Sequence, residues 1–159
     1  MNAVRRERYQ KLLRLKLRRF PAVVLLGPRQ SGKSTLALGH PAPRGGRKQL
    51  FDLERPSDLA RLRAAPERDL GALQATPGLI VMDEVQREPT LFPLLRPLLD
   101  SSTRKARYLL LGSASPALVA GASESLAGRA AFVDLTPFLM CELAPTPVNL
   151  ARLWLRGGY

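Results

Sequence analysis

The chain has 159 residues, 45% of them apolar, and its 25 Lys and Arg outnumber 13 Asp and Glu to give a formal net charge of +12. That length suits one domain, the apolar share excludes wholesale disorder, and runs such as "AVVLL" are far short of the roughly 20 residues a membrane-spanning helix needs. The charge suits phosphate-bearing partners, and one cysteine beside one histidine excludes an internal disulfide and a zinc site, so a reduced cytoplasmic setting is the default.

Eight of the 25 basic residues fall within the first 19 positions. At 100° per residue, Tyr9, Leu12, Leu13, Leu17 and Phe20 share one helix face while Lys11, Arg14 and Arg18 point the opposite way. Three readings of this helix stay open: a docked surface helix with a solvated basic face, a contact for DNA or another acidic partner, and a transit or membrane-surface segment. Pro21 ends it, because the residue before a proline is pushed out of helical geometry.

Short apolar runs then alternate with helical stretches. "AVVLLG" (22–27) predicts a buried strand, "KSTLALGH" (33–40) a helix ending at Gly39, and "PAPRGGRK" (41–48) a loop. "QLFDLE" (49–54) predicts a second strand, and "PSDLARLRAA" (56–65) opens with a helix-start signal. A short helix around 67–75 precedes "LIVM" (79–82), the third strand. "PTLFPLLRPLLDSS" (89–102) predicts a helix kinked or broken at Pro93 and Pro97. "RYLLLGS" (107–113) is the fourth strand, "PALVAGASESLAGR" (116–129) a loose helix and "AAFVDL" (130–135) the fifth strand. Apolar strands separated by helices predict an α/β fold, a parallel sheet covered on both faces. The helix carrying Leu150, Leu153, Trp154 and Leu155 has little left to pack against, which reads as a fragment of something longer.

"GPRQSGKST" (27–35) follows the first strand and opens a helix, matching G-x-x-x-x-G-K-[ST]. The backbone of Gly27, Pro28, Arg29, Gln30, Ser31, Gly32, Lys33, Ser34 and Thr35 is expected to wrap a nucleotide's phosphates. Lys33 reaches the β- and γ-phosphates and Ser34 ligates Mg²⁺, so ATP and Mg²⁺ are the expected ligands.

In "LIVMDEVQREP" a greasy strand ends on two adjacent carboxylates. Beside a phosphate loop, Asp83 is placed on the magnesium side and Glu84 is free to deprotonate an attacking water, which indicates a hydrolase. Ser113, at the end of the fourth strand, is a candidate sensor of the γ-phosphate or the water. Two alternatives stand beside an ATPase. A small-molecule kinase needs an arginine-bearing lid, for which the Arg44–Arg47 loop is the candidate. A nucleic-acid-binding module with nucleotide as a switch is motivated by the basic helix.

Taken in order, "LLGPRQSGKSTLA", "FDLERPSDLARL", "IVMDEVQREPTLFPLLRPLLD", "LLLGSASPALVAGASESLAGR" and "LWLRGGY" resemble prokaryotic AAA-family ATP-binding proteins, in which a P-loop ATPase domain precedes a C-terminal domain of unknown function. The resemblance covers roughly residues 20–159. It implies a three-layer P-loop NTPase core of the AAA, additional-strand type with strand order 5-1-4-3-2. It also implies that Arg129 of "SLAGR" is an arginine finger or sensor completing a neighbour's site, which points to a homo-oligomer. The chain then divides into a basic helix (1–20), an ATPase core (21–138) and the start of a following helical region (139–159), with that region cut short.

Overall fold

The computed structural model describes residues 6–143 and 146–158. Five strands form one sheet: β1 (Ala22–Leu26), β2 (Arg47–Asp52), β3 (Gly78–Asp83), β4 (Ala106–Gly112) and β5 (Ala130–Asp134). All pair in parallel, in the order β2-β3-β4-β1-β5. From the other edge this is the expected 5-1-4-3-2 order of a P-loop NTPase. β1 lies inside the sheet, with Ala22 opposite both Tyr108 and Ala130.

Side chains alternate across a strand, so each strand feeds two cores. One face carries Val23, Leu25, Val81, Leu109, Leu111 and Val133, covered by α1 (Glu7–Arg19) and α2 (Lys33–Gly39). The other carries Val24, Leu26, Ile80, Met82, Tyr108 and Leu110. It is covered by α3 (Pro56–Ala64), α4 (Pro66–Gln74), α5 (Leu91–Asp100) and α6 (Pro116–Ser125). The inner strands β1 and β3 are buried along their whole length, whereas β5, at the sheet edge, leaves Phe132 and Asp134 exposed. The basic helix is docked: Tyr9, Leu13 and Leu17 are buried, and Leu12 and Phe20 pack beside them.

Three expectations on element bounds need correction. β2 begins two residues earlier than read, because its ladder with β3 starts at Arg47↔Gly78, and Leu53 and Glu54 fall in the following turn. The 89–102 helix is not broken. Pro93 sits in the first turn of α5, where no intrahelical N–H is needed, and Pro97 shares its exposed face, where water can reach the carbonyl left unbonded. α6 stops at Ser125, and Gly128, with φ of 74°, turns the chain into β5.

After the sheet, a short 3₁₀ turn (Met140–Glu142) leads toward α7 (Pro147–Arg156), on which Trp154 and Leu155 are each 86% exposed. Among the described residues no helix is long and apolar enough to cross a membrane.

Candidate active site

The carboxyl ends of β1, β3 and β4 meet at one cleft. β1 runs into the Gly27 turn, where the Gly27 amide donates to the Gly112 carbonyl of β4 at 3.3 Å. A Cβ on Gly27 would stand 2.5 Å from the Leu135 carbonyl, so only glycine lets the loop leave the sheet between β4 and β5. Gln30 (φ 63°) and Gly32 (φ 85°) are left-handed and curl the backbone back on itself. The Ser31 hydroxyl ties the curl to the Pro28 carbonyl at 2.9 Å. The buried Lys33 ammonium lies along the loop's inside, donating to the carbonyls of Gly27 (3.0 Å) and Pro28 (2.9 Å).

Asp83 closes β3 behind this loop. Its carboxylate accepts a hydrogen bond from the Glu84 amide at 2.9 Å. Burial, the largest influence, pushes the Asp83 carboxyl above the ordinary range, against the pull of the nearby Ser34 hydroxyl and the Glu84 amide, and the neighbouring Glu84 and Asp52 carboxylates push it up too. A cation beside such a carboxylate would favour its ionised form.

Glu84 is in the left-handed region at φ 56°, ψ 45°, unusual for a residue with a side chain and costly by ~1–2 kcal/mol. That turn aims its carboxylate into the cleft, where the Gln86 side-chain amide donates to it. The cleft holds about 630 Å³, lined on one side by Arg29, Gln30 and residues 32–35 and on the other by Glu54, Glu84 and Arg87. Arg87 and Glu54 form an ion pair of 2.9 Å.

Ser113 follows directly on β4, between the strands that end at Asp83 and at the phosphate loop. Its hydroxyl oxygen is buried and, among the described residues, has no hydrogen-bond partner; the Gln86 side-chain oxygen is in the same position. The two flank Gly112, where a Cβ would stand 2.8 Å from that Gln86 oxygen and 2.4 Å from the Leu118 side chain.

Every residue expected in the site is therefore at one end of the sheet except Arg129. Arg129 precedes β5 at the opposite end and grips Asp100, at the foot of α5, with two bonds of 2.6 and 2.7 Å. The Asp100 carboxylate raises the pKa of Arg129 above its ordinary value. The chain does not bring Arg129 to its own cleft. The Arg44–Arg47 loop is also misplaced as a lid, because it enters β2 at the far edge of the sheet. Glu54, Gln86 and Arg87 were missed by reading the sequence. The signal was present in "FDLER" and "DEVQR", but nothing in those letters says that the two stretches face each other.

A family model described as an AAA domain matches residues 19–144. The chain is 49% identical over 148 residues to the uncharacterized proteins Rv2008c of Mycobacterium tuberculosis and Mb2031c of Mycobacterium bovis. The match takes in 92% of this chain but only 31% of theirs, so the chain spans about a third of the relatives' length. Among solved structures, the Walker-type ATPase PABY2304 of Pyrococcus abyssi superposes with a TM-score of 0.61 at 18% identity, over 88% of this chain and 55% of that one. The P-loop NTPase domain of the sigma-54 transport activator from E. coli gives 0.53 at 18% identity, over 86% of this chain and all of that one. At such identities the structures speak for the fold alone. The family match covers both the phosphate loop and the paired carboxylates, and with it the chain belongs to the AAA domain family of ATP-binding proteins, with a nucleotide-binding, ATPase-like core.

Proposed function

We propose that this chain is the core of an Mg²⁺-dependent ATPase, with Glu84 as the base that activates water. The observation that carries this reading is that the Lys33 loop and the Glu84 carboxylate open on one cleft. ATP fits there with its β- and γ-phosphates in the Gly27–Thr35 loop. Lys33 exchanges its two backbone carbonyls for phosphate oxygens.

The oxygen donors of Ser34 and Asp83 suit Mg²⁺, a hard cation usually held by one or two carboxylates together with substrate phosphates. Among the described residues no cluster of three His, Cys, Asp or Glu occurs, and a site completed by phosphate needs none. Ser34 and Asp83 would hold the ion, which when bound neutralises charge on the β- and γ-phosphate oxygens.

Glu84 takes a proton from water as the water oxygen attacks the γ-phosphorus and the bond to the bridging oxygen breaks, giving ADP and phosphate. Ser113, with its buried hydroxyl free, hydrogen-bonds the γ-phosphate or the attacking water. Because Arg129 is remote from its own cleft, a role for it at a phosphate requires a second copy, and assembly into a homo-oligomer in the cytoplasm belongs to the same proposal.

The test is phosphate release and nucleotide binding side by side. Lys33→Ala is expected to lose nucleotide binding. Glu84→Gln is expected to keep binding and lose turnover by ~10²–10⁴-fold. Undiminished release from Glu84→Gln overturns the role given to that carboxylate.

A further inference from the structure

We propose that a second cavity, at the opposite end of the sheet from the phosphate loop, binds single-stranded nucleic acid. This proposal does not rest on the ATPase reading. The cavity holds about 450 Å³, between the end of α1, the loop after α2 and the starts of β3 and β4. Its lining includes Arg14 and Arg18 from α1 and Lys105 and Arg107 from the start of β4, and no carboxylate lines it.

The four cations are uncompensated. None takes part in an ion pair among the described residues. Arg107 is the only one of them with a side-chain hydrogen bond given to the fold, from its Nε to the Leu17 carbonyl at 2.9 Å. The positive field is felt by its neighbours: after burial itself, the charges of Arg14 and Lys48 help hold His40, on the cavity wall, below its ordinary pKa. Gathering like charges without counterions costs stability, and a polyanion relieves that cost.

The arrangement suits a chain of phosphates more than a single anion. Arg14 and Arg18 are one turn apart, about 6 Å along the helix. Lys105 and Arg107 are two residues apart at the start of β4, about 6–7 Å. The cations thus come as two pairs, each spaced like neighbouring phosphates. The floor between them is apolar, made by Leu17, Leu79 and the Pro41–Pro43 segment. A strand whose phosphates follow these pairs can drop one base onto that floor, which a base held in a stacked duplex cannot do. A bilayer surface is the weaker match: Leu15 and Leu38 are exposed nearby, but the apolar floor among the cations lies within the cavity.

The experiment is fluorescence anisotropy of a labelled mixed-sequence 20-nucleotide single strand, without ATP, between 50 and 200 mM salt. Wild type is compared with Arg14→Ala/Arg18→Ala/Lys105→Ala and with a charge-matched control, Arg68→Ala/Arg96→Ala/Arg152→Ala. All six side chains are exposed, so neither triple variant opens the core. With four phosphates neutralised, log K is expected to fall against log salt with a slope of about −2.8, and of about −0.7 in the cavity variant. Affinity at the lowest salt should drop at least ~10-fold in the cavity variant and stay within about twofold in the control. Equal loss in the control, or no binding by wild type, overturns the proposal. Tighter binding of a duplex of the same length also overturns it. So does binding to phosphatidylserine vesicles that the cavity variant loses while the oligonucleotide is never bound.

Discussion

Arg6 and Glu142, 136 residues apart, meet in a two-pronged ion pair, Nε to Oε1 at 2.9 Å and Nη2 to Oε2 at 2.7 Å. Both side chains are almost wholly buried. The guanidinium donates its remaining N–H groups to the carbonyls of Ser31 (3.2 Å), Thr136 (2.7 Å) and Pro137 (3.2 Å), which accounts for all five of its donors. It lies over the rings of Tyr9 and Phe138 at 4.6 and 4.9 Å. One side chain therefore joins the phosphate loop, the docked helix and the segment that follows the sheet.

Arg6→Ala leaves the Glu142 carboxylate buried without its partner, a change that typically costs ~3–5 kcal/mol. Arg6→Lys should recover only a minor part, since an ammonium cannot reproduce the fork. Urea unfolding of the three proteins measures both effects. A loss below about 1 kcal/mol for the alanine variant would show that the pair is no more than a surface contact.

The same pair sets a pH dependence. Burial is the largest influence on Glu142 and would raise its pKa. The Arg6 hydrogen bond, the Leu139 amide and the charges of Arg6 and Arg8 together outweigh it and hold the group below its ordinary 4.5. A carboxyl depressed on folding contributes stability above its unfolded pKa and loses it as pH falls through the folded value. The stability gap between wild type and Glu142→Gln should therefore be full at pH 6 and shrink progressively below about 4.5. Chemical denaturation from pH 7 to pH 3 follows it, and a gap independent of pH contradicts the assignment.

Glu84 is predicted to trade stability for chemistry. Its left-handed backbone is strained for any residue with a Cβ, so Glu84→Gly should be more stable than Glu84→Ala by about 1 kcal/mol, while neither is expected to turn over ATP. Paired thermal melts decide this. Equal stability would mean that the turn relaxes once the carboxylate is gone.

Ser113→Ala separates a ligand-facing hydroxyl from a structural one. Deleting a buried hydroxyl that bonds nothing in the fold should leave the melting temperature unchanged or slightly higher. In the role proposed for it at the γ-phosphate or the attacking water, its loss should slow phosphate release by about 10²-fold. A clear loss of stability with normal turnover assigns Ser113 to the fold instead.

The sheet and the phosphate loop were legible because they rest on local rules. Uninterrupted apolar runs made β1, β3 and β4 plain, and the glycines, Lys33 and Ser34 have a fixed spacing. What was not legible depends on distant pairing. The start of β2 is set by its register against Gly78, and neither strand's letters contain the other's. Glu54 and Arg87 meet beside the cleft only because β2 pairs with β3. The four cations lining the second cavity come from residues 14–18 and 105–107, and only the former stood out as a basic helix. The tie between Arg6 and Glu142 was invisible for the same reason.

β1 sits inside the sheet although it is made first, and this has a consequence for how the protein comes into being. Both of its neighbours, residues 106–112 and 130–134, are synthesised more than 80 positions later. Until they arrive, "AVVLL" is an apolar strand with two bare edges, the kind of surface that draws in other chains. The docked helix and α2 can shelter one of its faces, but neither supplies a ladder. The nucleotide loop likewise draws on late-made segments: the Gly27 amide bonds the Gly112 carbonyl and Gly27 fits against Leu135. Slow, long-range strand pairing makes this the interval in which aggregation competes with folding.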